Sequence, residues 1–270
     1  MKNFFQPKTY ILSDGQVVKE KRSLAWLYWL IVLAIIFASI RLTEFDFVGL
    51  ARRGHSFFAM IADLFPPDWA YFSHVATPLF DTIKMSFLGS ILGALVAIPF
   101  AVLASHNIVR NRFVNQLVRI LLTITRTFPT LVIALIATHV FGLGTFAGLV
   151  AIFIFTFSFV GKQMFENIET VDMGAFEATE ALGVGRFKAF VVAIAPQVAP
   201  SYLSTSLYAF EGNVRYSTIL GYVGAGGIGT ILNDRMGFLM YKDVGMILVA
   251  ILVTVIIIEL TSTLIRAKLA

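Results

Sequence analysis

Seven residues, Ser201, Ser204, Thr205, Tyr208, Glu211, Gly212 and Arg215, recur at i, i+3, i+4, i+7, i+10, i+11 and i+14 within an apolar run of a 270-residue chain. On a helix this spacing draws one continuous polar stripe. Serine and threonine alone can serve as packing glue between helices. Glu211 and Arg215 add an ionisable pair four residues apart, which is costly in apolar surroundings and points to a polar path or a protein-lined cavity. A shorter set stands upstream, where Thr123, Arg126, Thr127 and Thr130 share a helical face beside Pro129. Arg126 has no carboxylate within a turn, so it either pairs with another helix or stands free to meet an anion. Glu259 carries the same two readings, with pairing favoured, and Lys84 lies at the end of an apolar run where its stem can snorkel.

The run GYVGAGGIG, Gly221 to Gly229, poses a different chemistry. From Gly224 it fits the G-x-G-x-x-G pattern of dinucleotide sites letter for letter. Such a site needs a soluble strand before the glycines, a helix after them and an acidic residue about 20 positions further on. Here an apolar run precedes them and Asp243 arrives too early. Gly224, Gly226, Gly227 and Gly229 are therefore read as an irregular backbone segment or gate passing close to neighbouring helices or to a path, as is tolerated at membrane depth only where protein or water lines it. No catalytic set accompanies them. His55, His74, His106 and His139 are scattered, there is no cysteine, and GSILG lacks the spacing of a nucleophile elbow. Neither a metal site nor a catalytic residue is expected.

The elements that must position these residues follow from composition. Hydrophobic residues make up 58% of the chain and charged ones 14%, and the mean hydropathy is +0.83, which excludes ordinary soluble coverage. The apolar residues fall into runs of the ~20 residues needed to cross a bilayer. Spans are expected at 24–40, 83–104, 117–141 and 147–161, from just after Pro196 to 219, and at 244–265. Residues 1–23 form a polar N-terminal segment. The stretch 41–82 alternates Arg52, Arg53 and His55 with Phe57, Phe58, Met60 and Ile61, as a helix lying in the membrane surface does, and the remaining spans form a core over 83–270. GSILG places Gly89 and Gly93 four apart, a spacing that lets two helices approach closely. Residues 162–196 are polar and read as short helices in water.

Six spans put both termini on one side. Segments on that side hold thirteen Lys or Arg and the opposite loops hold five, so the termini and the 162–196 loop are expected to be cytoplasmic. No basic, aromatic-laced surface stands apart from the spans, which argues against nucleic acid.

Within the loop, EATEALGVGRFKAFVVAIAP places Glu177, Ala178, Gly183, Phe190 and Pro196 where the EAA motif of ATP-binding-cassette (ABC) importer permeases has its Glu, Ala, Gly, aromatic and Pro. The chain resembles that family. Thr179 stands where Ala is usual and Ala195 where Leu is common. Gly183 permits a sharp turn, and Pro196 suits the start of the next helix. LFPPDW (64–69), RTFPTLVIAL (126–135) and NVRYSTILGYVGAGGIG (213–229) are similar to the phosphonate permease group, over about residues 60–268. Methionine permeases share part of the last stretch.

The resemblance implies an all-α membrane protein of six transmembrane helices with the MetI-like type I fold and an ATPase-coupling loop. It implies a homodimer in a bacterial cytoplasmic membrane, with two ATPase subunits that bind ATP and Mg, an extracytoplasmic substrate-binding protein, and no cofactor on this chain. The cargo implied is phosphonate or a related phosphorus oxyanion, with Arg126, Ser201, Thr205, Tyr208, Glu211 and Arg215 along the path. The alternatives are a permease for another small solute such as methionine, or an ion-coupled transporter using Glu211 and Glu259.

Overall fold

The computed structural model describes residues 9–11, 17–19 and 25–269, which divide into two compact units, residues 1–59 and 60–270. In the first, β1 (Thr9–Ile11) pairs antiparallel with β2 (Val17–Lys19), Tyr10 opposite Val18. This short ribbon lies in the stretch read from sequence as a polar segment; the rest of residues 1–23 falls outside the described residues. Then come α1 (Ala25–Leu42), apolar on all sides, and α2 (Phe47–Asp63), which is amphipathic and runs on into the second unit. The two helices meet at 73°.

The second unit holds the remaining helices. A 3-10 turn (Trp69–Tyr71) leads into α3 (Phe72–Ala104), followed by α4 (Arg112–Thr127), α5 (Thr130–Phe141) and α6 (Thr145–Thr170). A hairpin of α7 (Gly174–Ala181) and α8 (Arg186–Ala189) passes through a π-helical segment (Phe190–Ile194) into α9 (Ala195–Leu220). After a 3-10 turn (Gly221–Val223) come α10 (Ile228–Gly237) and α11 (Tyr241–Leu269).

Among the described residues, four stretches are long and apolar enough to cross a membrane alone: Trp69–Ala104, Thr145–Thr170, Arg186–Val223 and Tyr241–Leu269. Counting each bent pair, α1 with α2 and α4 with α5, as one span brings the total to six. The expected third span is therefore not straight. It breaks between α4 and α5 with an 88° bend, because the residue before a proline is pushed out of the helical region and Phe128, preceding Pro129, is extended at φ −74°, ψ 126°. The fourth span also runs longer than expected, to Thr170, so the first nine residues of the expected loop continue the helix.

Small residues set the most extensive helix contact, between α3 and α6. A Cβ added at Gly89 would lie 2.8 Å from the Ile152 side chain, and one at Gly93 would lie 2.7 Å from the Phe153 carbonyl oxygen, so the GSILG spacing does bring two backbones together. LFPPDW packs against the start of α11. The Asp68 N–H donates to the Lys242 carbonyl at 3.2 Å, and the Leu64 carbonyl lies where a side chain at Gly245 would otherwise project.

Candidate functional site

The stripe on α9 divides in three dimensions. Ser201, Tyr208 and Arg215, seven residues apart in turn, are exposed along one edge, and Ser204, Thr205 and Gly212 are half-buried. Glu211 turns inward and is only 5% exposed. The single continuous face expected from spacing is thus a wide band whose edges have different neighbours. Glu211 sits 16 residues into α9, roughly 24 Å along the axis. It pairs with Arg215 on its own helix and accepts from Arg266 Nη2 of α11 at 3.4 Å. Arg215 also lies 3.8 Å from Glu259, so that acid pairs as favoured. Two acids and two arginines thus neutralise one another across α9 and α11, the arrangement that makes buried charge tolerable. Arg215 keeps half of its side chain exposed.

Arg126 does not find a carboxylate. Among the described residues none lies within 4.0 Å of it, and its guanidinium instead rests over the Phe159 ring of α6, 5.6 Å from the centroid. Phe159 in turn lies 6.4 Å from the ring of Tyr208. Arg126 on α4 and Tyr208 on α9 are therefore joined through one aromatic ring. Thr130 leaves this set, because the Pro129 bend carries it onto α5.

The glycine segment is tightly enclosed. Gly224, Gly226 and Gly227 each have φ near +75°, a conformation that side chains rarely adopt. A Cβ at Gly226 would lie 2.5 Å from the Thr145 nitrogen, and one at Gly227 would lie 2.5 Å from Thr82 Oγ1. Gly229 packs on the backbone of Thr218 and Gly221. The Ile228 N–H donates to Thr82 Oγ1 at 2.7 Å, and the Gly144 N–H to the Gly224 carbonyl at 2.9 Å. The glycines let an irregular backbone press against α3 and the start of α6, the close approach inferred from sequence. Beside it, Leu135, Ile136, Thr138, His139, Leu143 and Val223 line an open apolar cleft of about 630 Å³.

The α7–α8 hairpin turns at Gly183, whose φ of +84° sits in open space. Glu177 and Ala178 are exposed, as are Leu182 at 84% and Phe187 at 77%. Phe190 points the other way, into a core with Phe176, Ile168 and Ile194. Pro196 is the second residue of α9. Among the described residues, no group of three or more His, Asp or Glu is placed to hold a metal ion.

Residues 89–268, more than half of the chain, match the family of binding-protein-dependent transport system inner membrane components. The chain belongs to that family. This permease is 30% identical over 250 residues to the putative phosphite transport system permease protein HtxC of Stutzerimonas stutzeri, covering 93% of this chain and 88% of that one. It is 32% identical over 223 residues to the phosphate-import permease protein PhnE of Mycolicibacterium smegmatis, covering 82% of this chain but 42% of the longer relative. Among solved structures it superposes on the inward-facing MetNI methionine ABC transporter with a TM-score of 0.65 at 21% identity, over 73% of this chain and 96% of that one. The protein is accordingly a membrane-embedded ABC importer permease of the phosphonate group, a transport component and not an enzyme.

Three residues of the permease that sequence did not single out organise these regions. Asn213, 1% exposed, donates to Ser90 Oγ of α3 and Thr156 Oγ1 of α6, each at 2.8 Å, tying three helices at one point. Phe159 supports Arg126. Arg186 was only one of thirteen cations in a charge count, yet it makes four hydrogen bonds at the hairpin. The signal for Asn213 was available as an amide deep within a membrane-spanning helix; Phe159 among 26 phenylalanines gave none.

Proposed function

We propose that this permease passes a phosphorus oxyanion, phosphonate or its near relatives, across a bacterial cytoplasmic membrane. The cargo is delivered by an extracytoplasmic binding protein, and transport is driven by ATP and Mg on two partner ATPase subunits. The observation that carries the reading is the exposed edge of α9. Ser201, Tyr208 and Arg215 cannot face lipid on a membrane-spanning helix, since a guanidinium in hydrocarbon is costly. A second copy of the chain, related by a two-fold axis, encloses that edge as a polar path. Arg126, with no carboxylate within 4.0 Å among the described residues, and Arg215, half exposed, supply guanidinium forks that match phosphorus oxyanions. Their hold is weak, because a tight site in a path would trap its cargo. The names of two relatives, for phosphite and for phosphate, and the likeness of three sequence stretches to phosphonate permeases agree on the cargo class.

At the other end, Glu177, Ala178 and Leu182 present the hairpin surface that docks on the ATPase, with Gly183 as its turn and Phe190 and Pro196 fixing it to the bundle. The segment Gly224 to Gly229 forms a rigid closure beside the path. Residues 1–23, the α7–α8 hairpin and both termini lie in the cytoplasm; in the first bent pair α1 makes the crossing and α2 lies along the outer membrane surface. Uptake by cells lacking their own phosphite, phosphonate and phosphate systems, and supplied with this permease and its cognate partners, tests the reading. Accumulation of labelled methylphosphonate or phosphite is expected; restored uptake of methionine alone would contradict it.

A further inference from the structure

Arg186 opens α8 and spends one edge of its guanidinium on a different part of the chain and the other on its own hairpin. Its Nε donates to the Ile108 carbonyl at 3.0 Å, and Nη2 to the Ile108 and Asn107 carbonyls at 2.8 and 3.0 Å. Nη1 donates to Glu180 Oε1 of α7 at 2.7 Å, and the planar group lies 5.2 Å from the ring centroid of Phe176, itself 1% exposed. The two carbonyls belong to the connection between α3 and α4. A lysine could hold one of these acceptors but not the fork of them.

The same connection is held from every other side. Arg119 Nε of α4 donates to the Ala104 carbonyl at 2.8 Å and the guanidinium pairs with Glu169 of α6. Glu169 also accepts from the His106 N–H at 2.9 Å. Asn107 Nδ2 donates to the Ile168 carbonyl at 2.7 Å, and Asn115 Nδ2 to the Leu103 carbonyl at 2.9 Å. The feet of α3, α4 and α6 are thereby bonded into one block, and Arg186 bonds the hairpin to it. Towards α9 the tie is lighter, Asn167 Nδ2 to Ser201 Oγ at 2.7 Å and Gln197 Nε2 to the Asp172 carbonyl at 3.3 Å, and the chain passes through the five-residue π-helical segment Phe190–Ile194, a winding frequent at functional sites.

We infer that Arg186 is a positioning residue for energy coupling: it makes the α7–α8 hairpin move rigidly with α3, α4 and α6, while the π segment takes up the swivel relative to α9. A push on the hairpin then shifts α4, and with it Arg126 some 14 residues or about 21 Å away, against the polar edge of α9. Without the fork the hairpin slides on the block and its displacement is lost. The inference rests on the reading of α7–α8 as the ATPase-docking element.

The test uses the permease reconstituted with its ATPase subunits and binding protein in proteoliposomes, with phosphite and methylphosphonate as the offered cargo, and reads uptake per ATP hydrolysed. Arg186→Gln is expected to keep the ATPase subunits through purification, to go on hydrolysing ATP, and to lower uptake per ATP about tenfold. Arg186→Lys is expected to fall between. Glu180→Gln, which spares both carbonyl contacts, is expected to stay within about twofold of the parent. If uptake and hydrolysis fall together with their ratio unchanged, Arg186 serves stability alone and the inference is overturned. Should Arg186→Gln fail to accumulate, Arg186→Lys decides: a parental ratio in it is equally fatal. Leu182→Glu separates the underlying reading, since it is expected to release the ATPase subunits; retention of them with normal uptake would remove the docking role and the relay with it.

Discussion

Arg266 near the end of α11 reaches Glu211 in the middle of α9, with Nη2 3.4 Å from Oε2. The contact gives Glu211 a second cation besides Arg215, so the buried acid stays neutralised when Arg215 turns toward the path. Arg215 is exposed and doubly contacted, which makes it the movable member; Glu211 and Arg266 are the fixed ones.

The asymmetry predicts separable effects. Glu211→Ala leaves two guanidinium groups without their buried anion and is expected to cost about 3 kcal/mol or more, seen as a lower midpoint of thermal unfolding in detergent. Glu211→Gln with Arg266→Gln is expected to recover most of that loss. Arg215→Gln removes a half-exposed partner, so its effect on stability is expected to stay within about 1 kcal/mol, while uptake of phosphite slows. Equal destabilisation by Arg215→Gln and Glu211→Ala would contradict the division of roles.

The glycines predict a contrast between two substitutions of the same chemistry. Gly226 and Gly183 both have positive φ, yet an added Cβ meets the Thr145 backbone at the first and nothing within 4 Å at the second. Gly226→Ala is expected to cost several kcal/mol, strain and clash together, whereas Gly183→Ala is expected to cost about 1–2 kcal/mol from backbone strain alone. Unfolding midpoints of the two purified variants measure the difference, and similar midpoints would show that the close approach does not constrain the segment.

Single cysteines are informative in a chain that has none. Substituted for Ser201, Tyr208 and Gly212, they are expected to react with water-soluble thiol reagents in the assembled transporter, because thiolate forms where water reaches. Cysteines for Ala209 and Val214, both 3% exposed on the same helix, are expected to react at least tenfold more slowly. Equal rates at both sets would mean that the exposed edge of α9 is not a water path.

Much of the fold was legible because membrane crossing needs length and apolarity, which sequence displays directly. The GSILG contact and the positive-φ glycines were legible for a similar reason, since a missing side chain is itself the signal. The size of the bend at Pro129 was not legible: proline was visible, but an 88° turn depends on how α4 and α5 pack. The α9 stripe was seen as one face because spacing gives angle around a helix and nothing about which neighbour covers each edge. Arg126 kept two readings until a partner could be sought in space, and the ring that supports it, Phe159, is one of 26 phenylalanines. The reach of Arg186 to Asn107 and Ile108 spans 78 residues and more, and no local pattern encodes it.

The measurement that bears most directly on the central claim is ATP-driven uptake in proteoliposomes holding this permease, its ATPase subunits and its binding protein, with labelled phosphite, methylphosphonate and methionine offered in turn. Uptake of at least one phosphorus oxyanion that requires ATP and binding protein, ignores methionine, and falls tenfold or more in Arg126→Gln while ATP hydrolysis persists is the predicted result. Oxyanion uptake unchanged in both Arg126→Gln and Arg215→Gln, or uptake of methionine in preference to every oxyanion, would contradict the account.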